Sequence, residues 1–122
     1  MNKKQNATSF LQLASSGKVR EAYDKYAHPD FSHHNAYFKG DRESLLVAME
    51  ENAITNPNKF LEVYHVLEDG NFVAVHSRVQ LKKDGSDIAA VHIFRFEGDY
   101  IVELWDIGQQ APKDSPNENG VF

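Results

Sequence analysis

The sequence predicts an α+β fold in which helices come first and a curved antiparallel sheet follows. Residues 3–56 carry apolar side chains at helical spacing, and residues 60–107 carry Val, Ile, Phe and Tyr in strand-like runs. The links between those runs are short. Short links make consecutive strands pair as hairpins, and helices gathered ahead of a sheet must bury their apolar stripes against it.

Each element has its own signal. Ala7, Phe10, Leu11 and Ala14 recur at i, i+3, i+4 and i+7, and Gly17 ends the run. Val19, Ala22, Tyr23 and Tyr26 repeat the pattern until His28-Pro29 stops it. Asp41 is a good N-cap for a third helix through Leu45, Ala48 and Met49 to Asn56-Pro57. Between the second and third helices, DFSHHNAYF (30–38) is expected to add a short extra strand. The four main strands are FLEVYHVLE (60–68), NFVAVHSRVQL (71–81), DIAAVHIFRF (87–96) and YIVELWDI (100–107). Asp69-Gly70, KKDGS and Gly98-Asp99 separate them. Residues 111–122 read as an extended tail. No repeat or long linker divides residues 1–122, so the expectation is a single domain.

Composition excludes several function classes. A formal charge of −5 with scattered Lys and Arg argues against nucleic acid as a partner, because phosphate binding needs clustered cations. The chain has no cysteine, which removes disulfides, thiolate catalysis and Cys-zinc sites. No membrane span or signal peptide is legible, so a cytoplasmic location is the default expectation. His33 and His34 are adjacent and face opposite ways if extended, and no metal-ligand spacing of His and acids is present. Neither a metal nor any other cofactor is expected.

The last hairpin carries the chemistry. A two-residue turn at Gly98-Asp99 would set Phe94 opposite Glu103, and Arg95 opposite Val102. A three-residue turn pairs Arg95 with Glu103, Phe94 with Leu104 and Phe96 with Val102. The second matches charge with charge and apolar with apolar, each pair contributing about 0.2–1 kcal/mol. A one-residue slip would turn every side chain to the other face. The favoured register sets His92 opposite Asp106, on one face with Phe94, Phe96, Val102 and Leu104. A His opposite an Asp also makes a plain structural pair. In an apolar pocket, however, burial raises a carboxylate's pKa and a nearby imidazolium lowers it, which is how a general base is tuned. His76 joins that face if the preceding hairpin is in matching register. On the other face Val91, Ile93, Ile101, Trp105 and Ile107 are too apolar for solvent and suggest a homodimer interface.

HIFRFEGDYIVELWDIGQ resembles the last hairpin of the SnoaL-like polyketide cyclases, within the nuclear transport factor 2-like superfamily. FSHHNAYFKGDRESLLVAM resembles that family's helix-to-strand element, and NFVAVHSRV and SPNENGVF resemble an uncharacterised bacterial branch of it. The resemblance implies a cone-shaped, cystatin-like sheet wrapped around a helix, with a pocket in its open end. It implies an aspartate base on the last strand, a histidine on the preceding strand and a pocket asparagine. These roles fall on Asp106, His92 and Asn35, with His34, His76 and Gln109 as further pocket residues. Phe94 and Leu104, from the register, complete the candidate ligand-binding set. The chain departs from many relatives of that branch at His92, where they carry Asp, and at Leu104, where they carry His.

Three functions remain open at this point. One is a cofactor-independent cyclase or isomerase that removes a proton alpha to a carbonyl, with His92 and Asn35 donating to the enolate oxygen. Another is a non-catalytic module that binds a small apolar metabolite. The third is a pure assembly domain with a vestigial pocket.

Overall fold

A computed structural model describes residues 2–83 and 85–122. Met1 and Asp84, the latter within the expected KKDGS link, lie outside the described residues. Helix α1 spans Lys3–Ser15 and starts where the Asn2 side chain accepts from the Gln5 amide at 2.8 Å. It ends at Gly17, whose φ of 91° lets Lys18 N reach Leu13 O and Gly17 N reach Ala14 O. This reciprocal pair satisfies carbonyls that the last helical turn leaves free. Helix α2, Val19–Tyr26, follows at once and buries Val19, Ala22, Tyr23 and Tyr26.

The chain then runs directly into β1, Ala27–His34, so the extra strand starts earlier than the sequence suggested. Pro29 does not interrupt it, because β1 is an edge strand and its pairing is irregular between Ala27 and Ser32. Helix α3, Arg42–Thr55, begins at Asp41, whose carboxylate accepts from Ser44 N at 3.0 Å. Strands β2 (Phe60–Asp69), β3 (Phe72–Gln80), β4 (Asp87–Glu97) and β5 (Tyr100–Gln110) complete the set. They pair antiparallel in sequence order, as expected. β1 adds to the far side of β5 in parallel, giving the order β1-β5-β4-β3-β2. The sheet is therefore mixed at one edge and does not close.

The β4–β5 hairpin combines both candidate registers. At the tip Glu97 pairs with Tyr100 across a two-residue turn, with Gly98 at φ 61°. A bulge then takes up Val102, so Phe96 pairs with Ile101 and not with Val102. Beyond it Arg95 faces Glu103, Phe94 faces Leu104 and His92 faces Asp106, as the charge and apolar matching required. The bulge also corrects one face assignment. Ile101 is fully buried in the core and does not lie on the outer face.

The core fills the space between the helices and the inner sheet face. Phe10 of α1 packs on Tyr23 at 5.2 Å and edge-on to Phe94 at 5.9 Å, and Tyr23 meets Phe31 of β1 at 5.5 Å. Burial of such aromatics supplies much of the driving force, at about 25 cal/mol per Å² of apolar area. This cluster closes one end of the inner face. The end lined by the first residues of β2 and β4 is left open for a cavity.

Candidate functional site

Asp106 and His92 meet across the hairpin because the register places them directly opposite. His92 Nε2 lies 3.2 Å from Asp106 Oδ1, in ion-pair contact whenever the ring is protonated. Asn35 reaches the same carboxylate from the end of β1 and donates Nδ2–H to Oδ2 at 2.7 Å. Its position depends on His33, which is buried. The His33 ring Nε2 sits 2.7 Å from Lys39 O, and its Nδ1 accepts from Asn35 N at 3.0 Å. A carbonyl can only accept and an amide N–H can only donate, so this pairing fixes His33 as the neutral Nε2–H tautomer. The Asn35 carbonyl oxygen accepts from Tyr37 N at 3.1 Å, which orients its amide nitrogen toward Asp106.

Opposing influences act on Asp106. Burial pushes its carboxyl up, but the donor and charge of His92, then the Asn35 hydrogen bond, pull it down and prevail. The charge of His33 contributes only when that ring is protonated, a state that would break its bond from Asn35 N. The net pKa lies below the ordinary aspartate value. The sequence reading named both influences, burial raising the pKa and a nearby imidazolium lowering it, and the lowering influences prevail.

The three residues form one wall of a cavity of about 440 Å³, within the usual range for small-molecule pockets. The remaining wall is mainly apolar, from Leu11, Leu45, Met49, Leu61, Val79 and Ile88. Lys59 and Asn52 also line it, with Lys59 Nζ donating to Asn52 Oδ1 at 2.7 Å. Burial lowers the Lys59 pKa, and the charge of Asp106 opposes that effect.

Other proposed residues lie elsewhere. Phe94 and Leu104 are buried in the core beside the cavity and do not line it. His76 pairs with Val91, and Val75 takes the position opposite His92, so His76 projects from the outer face. There its Nδ1 lies 2.9 Å from His65 Nδ1, with the rings stacked. His34 is also outside: it contacts Glu103 Oε2 at 2.6 Å and stacks on Trp105. Gln109, opposite Ala89, is exposed and is not part of the cavity wall. Tyr23 is a core residue whose hydroxyl reaches Met49 Sδ at 3.3 Å.

Lys59 and Asn52 escaped the sequence reading, although both carried a signal. Asn52 continues Leu45, Ala48 and Met49 at i+7 on the buried helix face, and Lys59 shares strand parity with the inward Leu61.

A family model of the SnoaL-like domain matches residues 7–104. The chain belongs to the SnoaL-like domain family. Among proteins of curated function none matches the chain. Among solved structures, an uncharacterized cystatin fold protein from Novosphingobium aromaticivorans is 19% identical, with 88% of this chain and 98% of that one covered at a TM-score of 0.74. An NTF2-like protein of unknown function from Cytophaga hutchinsonii is 17% identical, with coverages of 89% and 91% and a TM-score of 0.73. IdmH from Streptomyces antibioticus, described as "a putative polyketide cyclase", is 17% identical, with coverages of 89% and 93% and a TM-score of 0.74. At these identities the likeness establishes the fold and nothing finer. The SnoaL-like family assignment agrees with the resemblance read from the last hairpin, and the cystatin-like, nuclear transport factor 2-like fold agrees with the expected architecture.

Proposed function

We propose that this SnoaL-like protein binds a small apolar carbonyl compound in the cavity and removes the proton alpha to its carbonyl, with Asp106 as the base. Aldol ring closure and isomerisation both begin with that step. One observation carries the reading: a carboxylate that accepts from Asn35 and lies within ion-pair distance of His92 sits in the wall of an otherwise mainly apolar cavity. A carboxylate has about four lone-pair sites, so Asp106 retains acceptor capacity beyond Asn35 and His92. Excluding water from such a site strengthens its electrostatics. Asn35 donates one amide hydrogen to Asp106 and keeps a second for a ligand oxygen.

A second reading, binding without chemistry, is favoured by the lowered pKa of Asp106, which makes it a weaker base. Exchange of the alpha hydrogens of 2-tetralone in heavy water, followed by NMR, separates the two. The catalytic reading requires the wild type to accelerate exchange and Asp106→Asn to lose about 10²–10⁴ of that acceleration. Equal exchange with both proteins leaves the binding module.

We further propose that two copies pair through the outer sheet face, where Phe72 and Ile107 remain about half exposed. Ile93→Lys should then convert a dimer to a monomer in sedimentation velocity, because it buries an unpaired charge. A wild-type monomer at micromolar concentration would exclude the pairing.

A further inference from the structure

Lys59 is the cavity's one cationic side chain with no acid beside it among the described residues. It lies in the connection between α3 and β2, just before Leu61. No described carboxylate falls within 4.0 Å of Nζ, whereas Arg20 and Arg95 each have one and Arg78 has two. Among the described residues its only side-chain hydrogen-bond partner is the Asn52 oxygen at 2.7 Å. An ammonium has three donors, so two remain for water or a ligand.

Asp106 does not fill this role. Its oxygens are engaged by Asn35 and His92, and it acts on Lys59 only through its field. The sheet register also sets the two groups apart. Leu61, Val79 and Ile88 form one cross-strand row beside Lys59. His92 and Asp106 pair further along β4, about 13 Å beyond Ile88 at the usual strand rise. The cavity wall therefore carries both a cation with no acid beside it and a paired carboxylate, whose backbone positions the register sets apart, with Leu61, Val79 and Ile88 also in the wall. Taking a cation out of water into an apolar wall is unfavourable unless something pairs with it.

We propose that Lys59 and Asn52 form an anion-binding subsite, and that the ligand is an apolar molecule bearing a single carboxylate. The carboxylate sits on Lys59, where the Asn52 amide can donate a second hydrogen bond. The apolar body lies along Leu61, Val79 and Ile88, with its far end toward Asp106. A second anionic group would meet the Asp106 carboxylate, so the arrangement selects monoanions and fixes their direction. Together with the proposed chemistry this describes an apolar keto acid. The subsite rests on the cavity being a ligand pocket and is independent of proton abstraction.

The test uses 2-naphthoate and the neutral, near-isosteric 2-naphthamide, titrated calorimetrically into wild type and Lys59→Met. Wild type should prefer the naphthoate by at least about tenfold, the scale of a charge-assisted hydrogen bond. Lys59→Met should abolish that preference while still binding the amide. Lys59→Gln, also neutral, gives the same reading if the Met variant does not fold. Equal affinity for the two probes in wild type, or a preference that survives loss of the charge, overturns the subsite and leaves the pocket intact. Failure of both probes to bind folded wild type removes the pocket reading and the subsite with it.

Discussion

Asp106 and Glu103 lie three residues apart on β5 and make nearly the same contacts, on opposite faces of one sheet. Glu103 holds His34 at 2.6 Å and Arg95 at 3.0 Å, and Asp106 holds His92 at 3.2 Å and Asn35 at 2.7 Å. Both carboxyls lie below their ordinary pKa. The leading influence differs. At Glu103 it is the hydrogen bond to His34, whereas at Asp106 it is burial, which opposes the net shift. The same pairing near solvent is a surface ion pair of small energetic consequence. Beside a cavity, the carboxylate can confront a ligand from which water has been excluded. The constellation of residue types does not make the site; the apolar enclosure does.

The sharpest way to break this comparison is chemical. Asp106→Asn should remove about 10²–10⁴ of any acceleration of 2-tetralone exchange, while Glu103→Gln should change it by less than about twofold. A large loss in Glu103→Gln would show that the outer pair supports the hairpin more than its exposure suggests.

Next in size is a packing contrast between the two faces. Phe94→Ala should cost about 3–5 kcal/mol in urea denaturation, because Phe94 is fully buried between Phe10 and the sheet. Arg95→Ala, its neighbour on the outer face, removes a partly exposed ion pair with Glu103 and should cost about 1 kcal/mol or less.

Acid should separate wild type from Asp106→Asn. A carboxyl whose native pKa lies below its unfolded one stabilises the fold fully above the unfolded value. That contribution is lost as pH falls through the native value. The unfolded reference for Asp106 is 3.8, so its contribution is complete near neutrality and disappears below about pH 4. Melting temperature should therefore fall more steeply in wild type than in Asp106→Asn over that window. Parallel curves would show that the Asn35 and His92 contacts do not stabilise the ionised form.

The smallest effect concerns the other end of the cavity. Lys59 has a native pKa below its unfolded value, so its protonated form weakens the fold at neutral pH, and the penalty is relieved as pH rises. Lys59→Met should stabilise the fold slightly at pH 7, by less than about 1 kcal/mol because solvent screens a partly exposed group, which a small rise in melting temperature would show. A destabilised variant would mean that the hydrogen bond to Asn52 outweighs desolvation.

Legibility varied with the range of the interaction. The α1 and α3 boundaries were readable because Gly17 and Asp41 act within a turn of themselves. The pairing of His92 with Asp106 was readable because Arg95–Glu103 and Phe94–Leu104 matching constrains a hairpin whose ends are close in sequence. The same reasoning missed the bulge at Val102. Gly98-Asp99 favoured the short turn while the side chains favoured the longer register, and an extra residue satisfied both. His76 could not be placed from sequence, because its register with β4 is set across a longer link, and it fell on the outer face.

By itself the sequence determined the element types, the inner hairpin pair and the family resemblance, since caps, periodicity and local cross-strand matching all act over short separations. Only the tertiary structure decided that β1 joins β5 in parallel, bringing Asn35 to a carboxylate 71 residues away. It also decided that Lys59 shares a cavity with that carboxylate, and that His34 and Gln109 do not. The physical reason is that a cavity is defined by what several distant elements leave unfilled, and no local pattern records an empty space.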